Sequence, residues 1–220
     1  MLRAVLFYLT GDFVNLFSYS LLKKSCDLAF AIVAAVMLSP LLFLVCCLSY
    51  LKLGRPLLFI QRRPGRCGRS FLLLKFRTMT NARDPSGDLL PDSKRLTSYG
   101  HWLRSTSIDE LPGLINILRG EMSFIGPRPL LMQYLPLFTP EQARRHDVKP
   151  GFSGWAQING RNALSWEEKF RLDVWYVDHQ SFWLDLSIFL ITIWKVIRRE
   201  GISAAGEATM APFTGAPLSQ

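Results

Sequence analysis

The residues best suited to chemistry stand together in the segment SIDELPGLINIL, residues 107–118. Asp109 and Glu110 form a carboxylate pair at the start of a run whose apolar residues recur at helical spacing. Backbone N–H groups at a helix start attract phosphate oxygens, so the pair is well placed beside a bound phosphate. Acidic side chains in a first turn also stabilise the helix dipole. The segment by itself leaves a chemical and a structural role open.

The start of this helix has two candidate caps. Ser107 and Glu110 match the S-x-x-E capping box. With Ser107 as the cap, however, Pro112 would be the fifth helical residue and would cost a hydrogen bond. With Asp109 as the cap, Pro112 falls at the third position, where no N–H is needed. The proline therefore makes the capping box less favourable.

Arg128 is a further candidate, because it lies between two prolines in the segment MSFIGPRPL, residues 122–130. This segment predicts a short apolar strand that runs into a turn, and the prolines restrict the backbone on both sides of the arginine. A rigidly presented guanidinium suits a phosphate or a carboxylate. A surface arginine in an ordinary loop would show the same pattern.

Positive charge is concentrated in one segment that follows the most apolar part of the chain. The 220-residue chain has a formal net charge of +9, and residues 52–83 contain nine basic residues and no acidic one. Outside that segment, basic and acidic residues are equal in number. Basic charge beside an apolar run favours anionic lipid headgroups or phosphate ligands. A nucleic-acid surface would leave the apolar run unexplained, so no nucleic-acid partner is expected.

Residues 28–51 carry no charge and predict a membrane helix. As a straight helix they would extend about 36 Å, which exceeds the roughly 30 Å hydrocarbon core of a bilayer. Ser39 and Pro40 lie at the midpoint, where proline removes a backbone hydrogen bond and serine can increase a bend. Lysines precede the run and basic residues follow it, so the positive-inside rule favours cytoplasmic placement of both ends. A re-entrant helix that breaks at Ser39 and Pro40 satisfies both features, and a kinked spanning helix is the alternative.

The remaining chain predicts a mixture of strands and helices. Two apolar runs flank the turn-rich segment RRPGRCGR and predict a β-hairpin with a basic tip. Patterns further along predict helices over residues 165–179 and 184–199, and loops over 80–100 and 149–161. The four cysteines match no zinc or disulfide spacing, which favours a reducing compartment.

These ordered motifs together resemble the bacterial sugar transferase family, in particular its small monotopic polyprenyl-phosphate phosphoglycosyl transferases. The resemblance runs from about residue 23 to about residue 215. The motifs that carry it are KKSCDLAFAIVAAVMLSPLL, FIQRRPG, KFRTM, RSTSIDELPGLINILRGEMSFIGPRPL, RHDVKPGFSGWAQINGR and LDVWYV.

The resemblance implies an α+β fold on the cytoplasmic face of the bacterial inner membrane, with a monotopic attachment. It implies a re-entrant helix broken at Ser39 and Pro40, and a compact cytoplasmic domain with a small β-hairpin and interfacial amphipathic helices. The expected segments are an apolar interfacial extension (1–22), the re-entrant helix (23–52), the catalytic domain (53–200) and an extended tail (201–220).

The resemblance also implies the roles of the site residues. Asp109 would be the nucleophile, and Glu110 would be its partner at a Mg²⁺ ion that both carboxylates bind. Lys75, Arg104 and Arg128 match basic positions expected around the phosphates. A carboxylate nucleophile splits one difficult displacement into two easier ones.

The implied reaction is transfer of a sugar 1-phosphate from a UDP-sugar to polyprenyl (undecaprenyl) phosphate, with release of UMP. The expected intermediate is a covalent phosphosugar–aspartate, and the step would begin the membrane assembly of a glycan or glycoconjugate. The resemblance favours an N-acetylated deoxyamino sugar such as UDP-N,N′-diacetylbacillosamine, with glucose or galactose donors as the alternative. Direct transfer with both carboxylates as metal ligands, sugar transfer with release of UDP, and a non-catalytic adaptor are competing hypotheses.

Overall fold

The computed structural model describes residues 2–160, 164–198 and 212–215, with side chains from residue 19 onward. Helices and two small sheets build this part of the chain, so the α+β prediction is confirmed at that level. The α-helices are α1 (Leu2–Leu53), α2 (Asp92–Arg95), α3 (Ser98–Ser105), α4 (Leu114–Leu118), α5 (Pro140–Ala143), α6 (Trp155–Ile158), α7 (Trp166–Asp178) and α8 (Phe182–Arg198). The strands are β1 (Leu58–Pro64), β2 (Ser70–Phe76), β3 (Ser123–Ile125) and β4 (Gly151–Ser153). Short 3₁₀ helices are Arg66–Gly68, Ile108–Gly113, Met132–Leu137 and Arg144–His146.

Helix α1 continues through Ser39 and Pro40 with no non-helical residue, so the expected break does not interrupt the helix. Pro40 has no N–H to donate to the carbonyl of Val36, one turn earlier. The Ser39 hydroxyl donates to that same carbonyl at 2.8 Å. Serine thus satisfies the acceptor that proline leaves free. The re-entrant course of this helix through a membrane remains a prediction.

One side of α1 packs against the rest of the fold along the apolar run. Ala31 is fully buried in a cluster with Leu114, and Val45 is fully buried in a cluster with Leu103. The opposite side is open, and the Met37 side chain is 76% exposed. The part of α1 from Tyr19 to Leu53 is apolar enough and long enough to cross a membrane, by length and composition. An apolar helix covered on one side only is therefore the main hydrophobic surface of the described chain.

The predicted β-hairpin is confirmed by antiparallel pairing of β1 with β2, in which Phe59 lies opposite Lys75. Asn116 holds this hairpin against α4. Its side chain accepts from the Leu74 N–H at 3.1 Å and donates to the Leu72 carbonyl at 2.7 Å, and it is fully buried. The amide therefore fixes the strand that carries Lys75 to the helix that follows the carboxylate pair.

The second sheet joins two distant segments. Strands β3 and β4 pair in parallel, with Ser123 opposite Gly151. A Cβ atom on Gly151 would lie 2.2 Å from the backbone nitrogen of Gly126, so only glycine permits this approach. The loop predicted over 149–161 is wrong in part, because it contains β4 and α6.

Of the remaining predicted helices and loops, the two helices are confirmed and one loop is wrong in part. Helices α7 and α8 confirm the two predicted C-terminal helices, and Ser165 forms a capping box with Glu168 at the start of α7. The loop predicted over 80–100 is wrong at its end, where α2 lies and α3 begins after its cap Thr97. The predicted tail lies outside the described residues except at 212–215, where Phe213 is buried.

Candidate active site

The carboxylate pair lies in the 3₁₀ helix Ile108–Gly113, directly before α4. Ser107 adopts a left-handed conformation with φ of 56° and makes no side-chain cap, so the capping box is wrong. Asp109 is not the cap either, because the 3₁₀ helix begins before it. Pro112 explains the separate 3₁₀ segment, since it cannot donate the hydrogen bond that one continuous α-helix would need there. Glu110 is thereby released from a capping role.

Glu110 accepts hydrogen bonds from two cations on different elements. Its Oε1 atom lies 2.7 Å from Lys75 Nζ of β2 and 2.7 Å from an Arg128 guanidinium nitrogen. Burial would raise the pKa of Glu110, but Arg128 and Lys75 outweigh that effect and hold the pKa well below its usual range. Glu110 is therefore a fixed negative charge between two positive ones.

Asp109 has the opposite electrostatic character. Its carboxyl is buried, and burial together with the charge of Glu110 raises its pKa to about 6. Lys75, Arg104 and Arg128 each act in the lowering direction, so all three are close enough to influence it. The result is a carboxylate that is more basic than an exposed aspartate and is surrounded by cations.

Arg104 is positioned by α3 and the segment after β2. Its Nε atom donates to the Thr78 hydroxyl at 3.0 Å. Helix α3 approaches that segment very closely, since a Cβ on Gly100 would lie 1.8 Å from the Thr78 carbonyl oxygen. The predicted site residues Lys75, Arg104, Asp109, Glu110 and Arg128 are thus brought together from four separate parts of the chain.

The backbone carbonyl of Arg128 is hydrogen-bonded to a buried ion pair that the sequence analysis missed. Arg145 donates to the Arg128 carbonyl at 2.9 Å and to Asp173 Oδ2 at 2.7 Å. Arg145 and Asp173 are each only 3% exposed. The available sequence signal was an aspartate on the apolar face of α7, three residues after Phe170 and one before Val174.

An open cavity adjoins Glu110 and has a charged and an apolar side. Arg63, Lys75 and Arg128 line it together with the carboxylate. Its apolar lining comes from Leu73, Leu74, Met122, Pro129, Leu130 and Phe152. Ser39 and Pro40 are not part of this lining, and both side chains are exposed midway along α1.

The carboxylate pair fits a magnesium ion that is bound together with phosphate. In the described part of the chain, no group of three or more His, Cys, Asp or Glu residues could hold a metal alone. Mg²⁺ usually takes one or two carboxylates and fills its remaining positions with substrate phosphates and water. The repulsion between Glu110 and Asp109, which helps to raise the pKa of Asp109, is a feature that a divalent cation would relieve.

Comparison with known proteins gives the class. The family model described as bacterial sugar transferase matches residues 18–199, which is most of the chain. The chain therefore belongs to the bacterial sugar transferase family. It is an enzyme, a phosphoglycosyl transferase.

Three relatives illustrate the range of the family. The uncharacterized sugar transferase EpsL of Bacillus subtilis (strain 168) is 55% identical over 195 residues, which cover 89% of this chain and 96% of that protein. The undecaprenyl-phosphate glucose phosphotransferase of Komagataeibacter xylinus is 39% identical over 189 residues, which cover 80% of this chain and 36% of that protein. An N-acetylgalactosaminephosphotransferase of Aeromonas hydrophila, named for UDP-N-acetylgalactosamine and undecaprenyl phosphate, is 35% identical over 81% of this chain and 44% of that protein. The chain spans nearly all of the Bacillus relative and less than half of the other two.

Proposed function

We propose that this enzyme transfers a sugar 1-phosphate from a UDP-sugar to polyprenyl phosphate and releases UMP. The observation that carries the proposal is the buried Asp109, set among Lys75, Arg104 and Arg128 and next to the ion-paired Glu110. Cations in this number suit a substrate with several phosphate charges. The names of relatives that use undecaprenyl phosphate support the same reaction.

The first half of the reaction forms a covalent intermediate. An Asp109 carboxylate oxygen attacks the β-phosphorus of the donor, and the bond from that phosphorus to the bridging oxygen breaks. UMP leaves with the bridging oxygen, and the sugar phosphate stays on Asp109 as an acyl phosphate. Lys75, Arg104 and Arg128 stabilise the charge that develops on the phosphate oxygens.

The second half regenerates the enzyme. A phosphate oxygen of polyprenyl phosphate attacks the same phosphorus, and the bond to Asp109 breaks to restore the carboxylate. Glu110, which Lys75 and Arg128 hold in place, keeps its charge throughout. Asp109 and Glu110 would hold Mg²⁺, which would neutralise phosphate charge on the substrate.

The nucleotide product tests this reaction. Purified enzyme with Mg²⁺, polyprenyl phosphate and a UDP-sugar is expected to release UMP, as measured by chromatography. Release of UDP would instead show transfer of the sugar without its phosphate and would refute the proposal.

For the donor we propose an N-acetylated deoxyamino sugar. The sugar is identified by comparing turnover with UDP-N,N′-diacetylbacillosamine, UDP-N-acetylgalactosamine, UDP-glucose and UDP-galactose. Faster turnover with glucose or galactose would refute that choice.

We propose a monotopic attachment on the cytoplasmic face of the membrane, because both ends of the apolar run contact the same domain. At one end, Tyr19 donates to Asp185 of α8 at 2.6 Å, and Lys23 forms an ion pair with the same carboxylate. At the other end, Ser49 and Tyr99 of α3 are hydrogen-bonded at 2.9 Å. A helix that crossed the whole bilayer would separate its two ends by the hydrocarbon core. Contacts at both ends with one domain favour a helix that stays on one face.

Cysteine labelling tests this topology. In a variant without native cysteines, single cysteines are introduced by Lys24→Cys or Arg55→Cys, both at exposed positions on either side of the run. The native Cys67 alone, exposed at the tip of the hairpin, reports the position of the domain. An impermeant maleimide is expected to label all three from the cytoplasmic side of membrane vesicles. Labelling of one flanking cysteine from the periplasmic side would show a spanning helix.

A further inference from the structure

Arg63 of β1 lines the cavity beside Glu110, although nothing in the proposed chemistry uses it. One guanidinium nitrogen donates to Gln61 Oε1 at 2.6 Å, and another lies 3.4 Å from the Pro129 carbonyl. Its Nε atom is buried without a hydrogen-bond partner. Among the described residues, Arg63 forms no ion pair. The side chain thus contacts only neutral hydrogen-bond acceptors, and its Nε–H group remains able to donate another hydrogen bond.

The charge balance of the cavity calls for an anion. Among the described residues that line the cavity, Glu110 carries the one carboxylate, and it pairs with Lys75 and Arg128. Arg63 lies near Arg128 and pairs with no carboxylate in that lining. Burial and the charge of Arg128 lower the pKa of Arg63 to about 10, so the guanidinium still carries its charge at neutral pH. A partly buried charge next to a like charge is unfavourable unless an anion binds there.

The apolar lining indicates what kind of anion fits. Leu73 and Met122 line the cavity and belong to the same hydrophobic cluster as Ala31 of α1. Phe152 lines the cavity and packs against that cluster. The apolar side of the cavity is therefore continuous with the membrane helix. A phosphate attached to an aliphatic chain matches this combination better than a phosphate attached to polar nucleoside and sugar groups.

We propose that Arg63, together with Arg128, binds the phosphate group of the polyprenyl acceptor. This assignment rests on the proposed function, in which that phosphate attacks the sugar phosphate held by Asp109. Binding by a planar guanidinium holds one pair of phosphate oxygens and leaves another oxygen free to react. The phosphates of the UDP-sugar are the other source of the same chemistry, and the two half-reactions distinguish them.

The test compares the half-reactions in Arg63→Gln and in Arg62→Gln, whose side chain is exposed on the same strand. Enzyme is first mixed with labelled UDP-sugar and Mg²⁺ without acceptor, and the adduct and UMP are measured. Polyprenyl phosphate is then varied in the steady state. For Arg63→Gln we expect adduct formation within about twofold of wild type, and a KM for polyprenyl phosphate that rises about 10- to 100-fold, as loss of a charged hydrogen bond predicts. Arg62→Gln is expected to leave both quantities unchanged.

Two results would overturn the assignment. Loss of adduct formation in Arg63→Gln would show that the arginine binds the donor. An unchanged KM for the acceptor together with normal adduct formation would show that it binds neither substrate. If Arg63→Gln lowers Tm relative to Arg62→Gln, Arg63→Lys is used, because it keeps the charge but loses the planar pair of donors. That variant is expected to raise the acceptor KM by a smaller factor, and an unchanged KM would again refute the proposal. Wild-type enzyme that forms no adduct would refute the covalent mechanism instead.

Discussion

Asp109→Asn is expected to abolish the covalent adduct and to lower turnover by about 10⁴-fold or more, because an amide cannot form the acyl phosphate. The adduct is measured with a donor labelled in its sugar phosphate, and turnover is measured as UMP release. Asp88→Asn serves as the control, since Asp88 is an exposed aspartate in a loop. Adduct that still accumulates on Asp109→Asn would refute the nucleophile assignment and favour direct transfer.

The same variant should not be less stable than wild type. The pKa of Asp109 is about 6 in the folded protein against an ordinary value of 3.8, so the folded state holds its proton more tightly than the unfolded chain. The free energy of unfolding therefore falls as pH rises from about 4 to about 6. Above that range the decrease reaches its full value of about 3 kcal/mol. Asparagine has no such titration, so the Tm of Asp109→Asn at pH 7 should equal or exceed that of wild type. A clearly lower Tm would mean that the ionised carboxylate contributes to folding.

Asp173→Asn is expected to destabilise the protein by about 3–5 kcal/mol, since it leaves Arg145 as a buried charge without a partner. It should also lower kcat, because Arg145 positions the backbone of Arg128. Asp178→Asn is a matched control on the same helix. Asp178 pairs with Arg144, and the two side chains are 41% and 39% exposed, so its loss should cost no more than about 1 kcal/mol.

A double variant separates stability from positioning. Replacing the pair by Arg145→Met and Asp173→Leu removes both buried charges and is expected to restore much of the Tm. It does not restore the hydrogen bond to the Arg128 carbonyl, so kcat should stay low. Full recovery of kcat in the double variant would show that this hydrogen bond has no positioning role. A Tm for Asp173→Asn equal to that of Asp178→Asn would show that the ion pair is not needed for stability.

Asp109 and Asp173 show two different uses of burial. The environment of Asp109 makes its carboxylate more basic at a cost in stability. Asp173 is buried together with its counter-charge and contributes rigidity to the same site. Both depend on residues more than 25 positions away along the chain, Lys75 for Asp109 and Arg145 for Asp173.

The sequence by itself determined the elements that depend on neighbouring residues. The apolar run, the β-hairpin and the two C-terminal helices follow from periodicity and turn residues over short stretches. The family was also evident from ordered motifs, and it supplied the roles assigned to Lys75, Arg104, Asp109, Glu110 and Arg128. Their roles remain proposals, although the structure brings the five residues together.

Only the tertiary structure decided the features that depend on distant residues. The pairing of β3 with β4 needs Gly126 and Gly151 to approach across 25 residues of chain, and no local pattern encodes that contact. The buried Arg145–Asp173 pair likewise becomes visible only when separate segments pack together. The same holds for Arg63, which lines the cavity and forms no ion pair with any residue that the structure describes. Local patterns specify elements because their causes lie within a few residues, whereas charge balance and burial are properties of the folded chain.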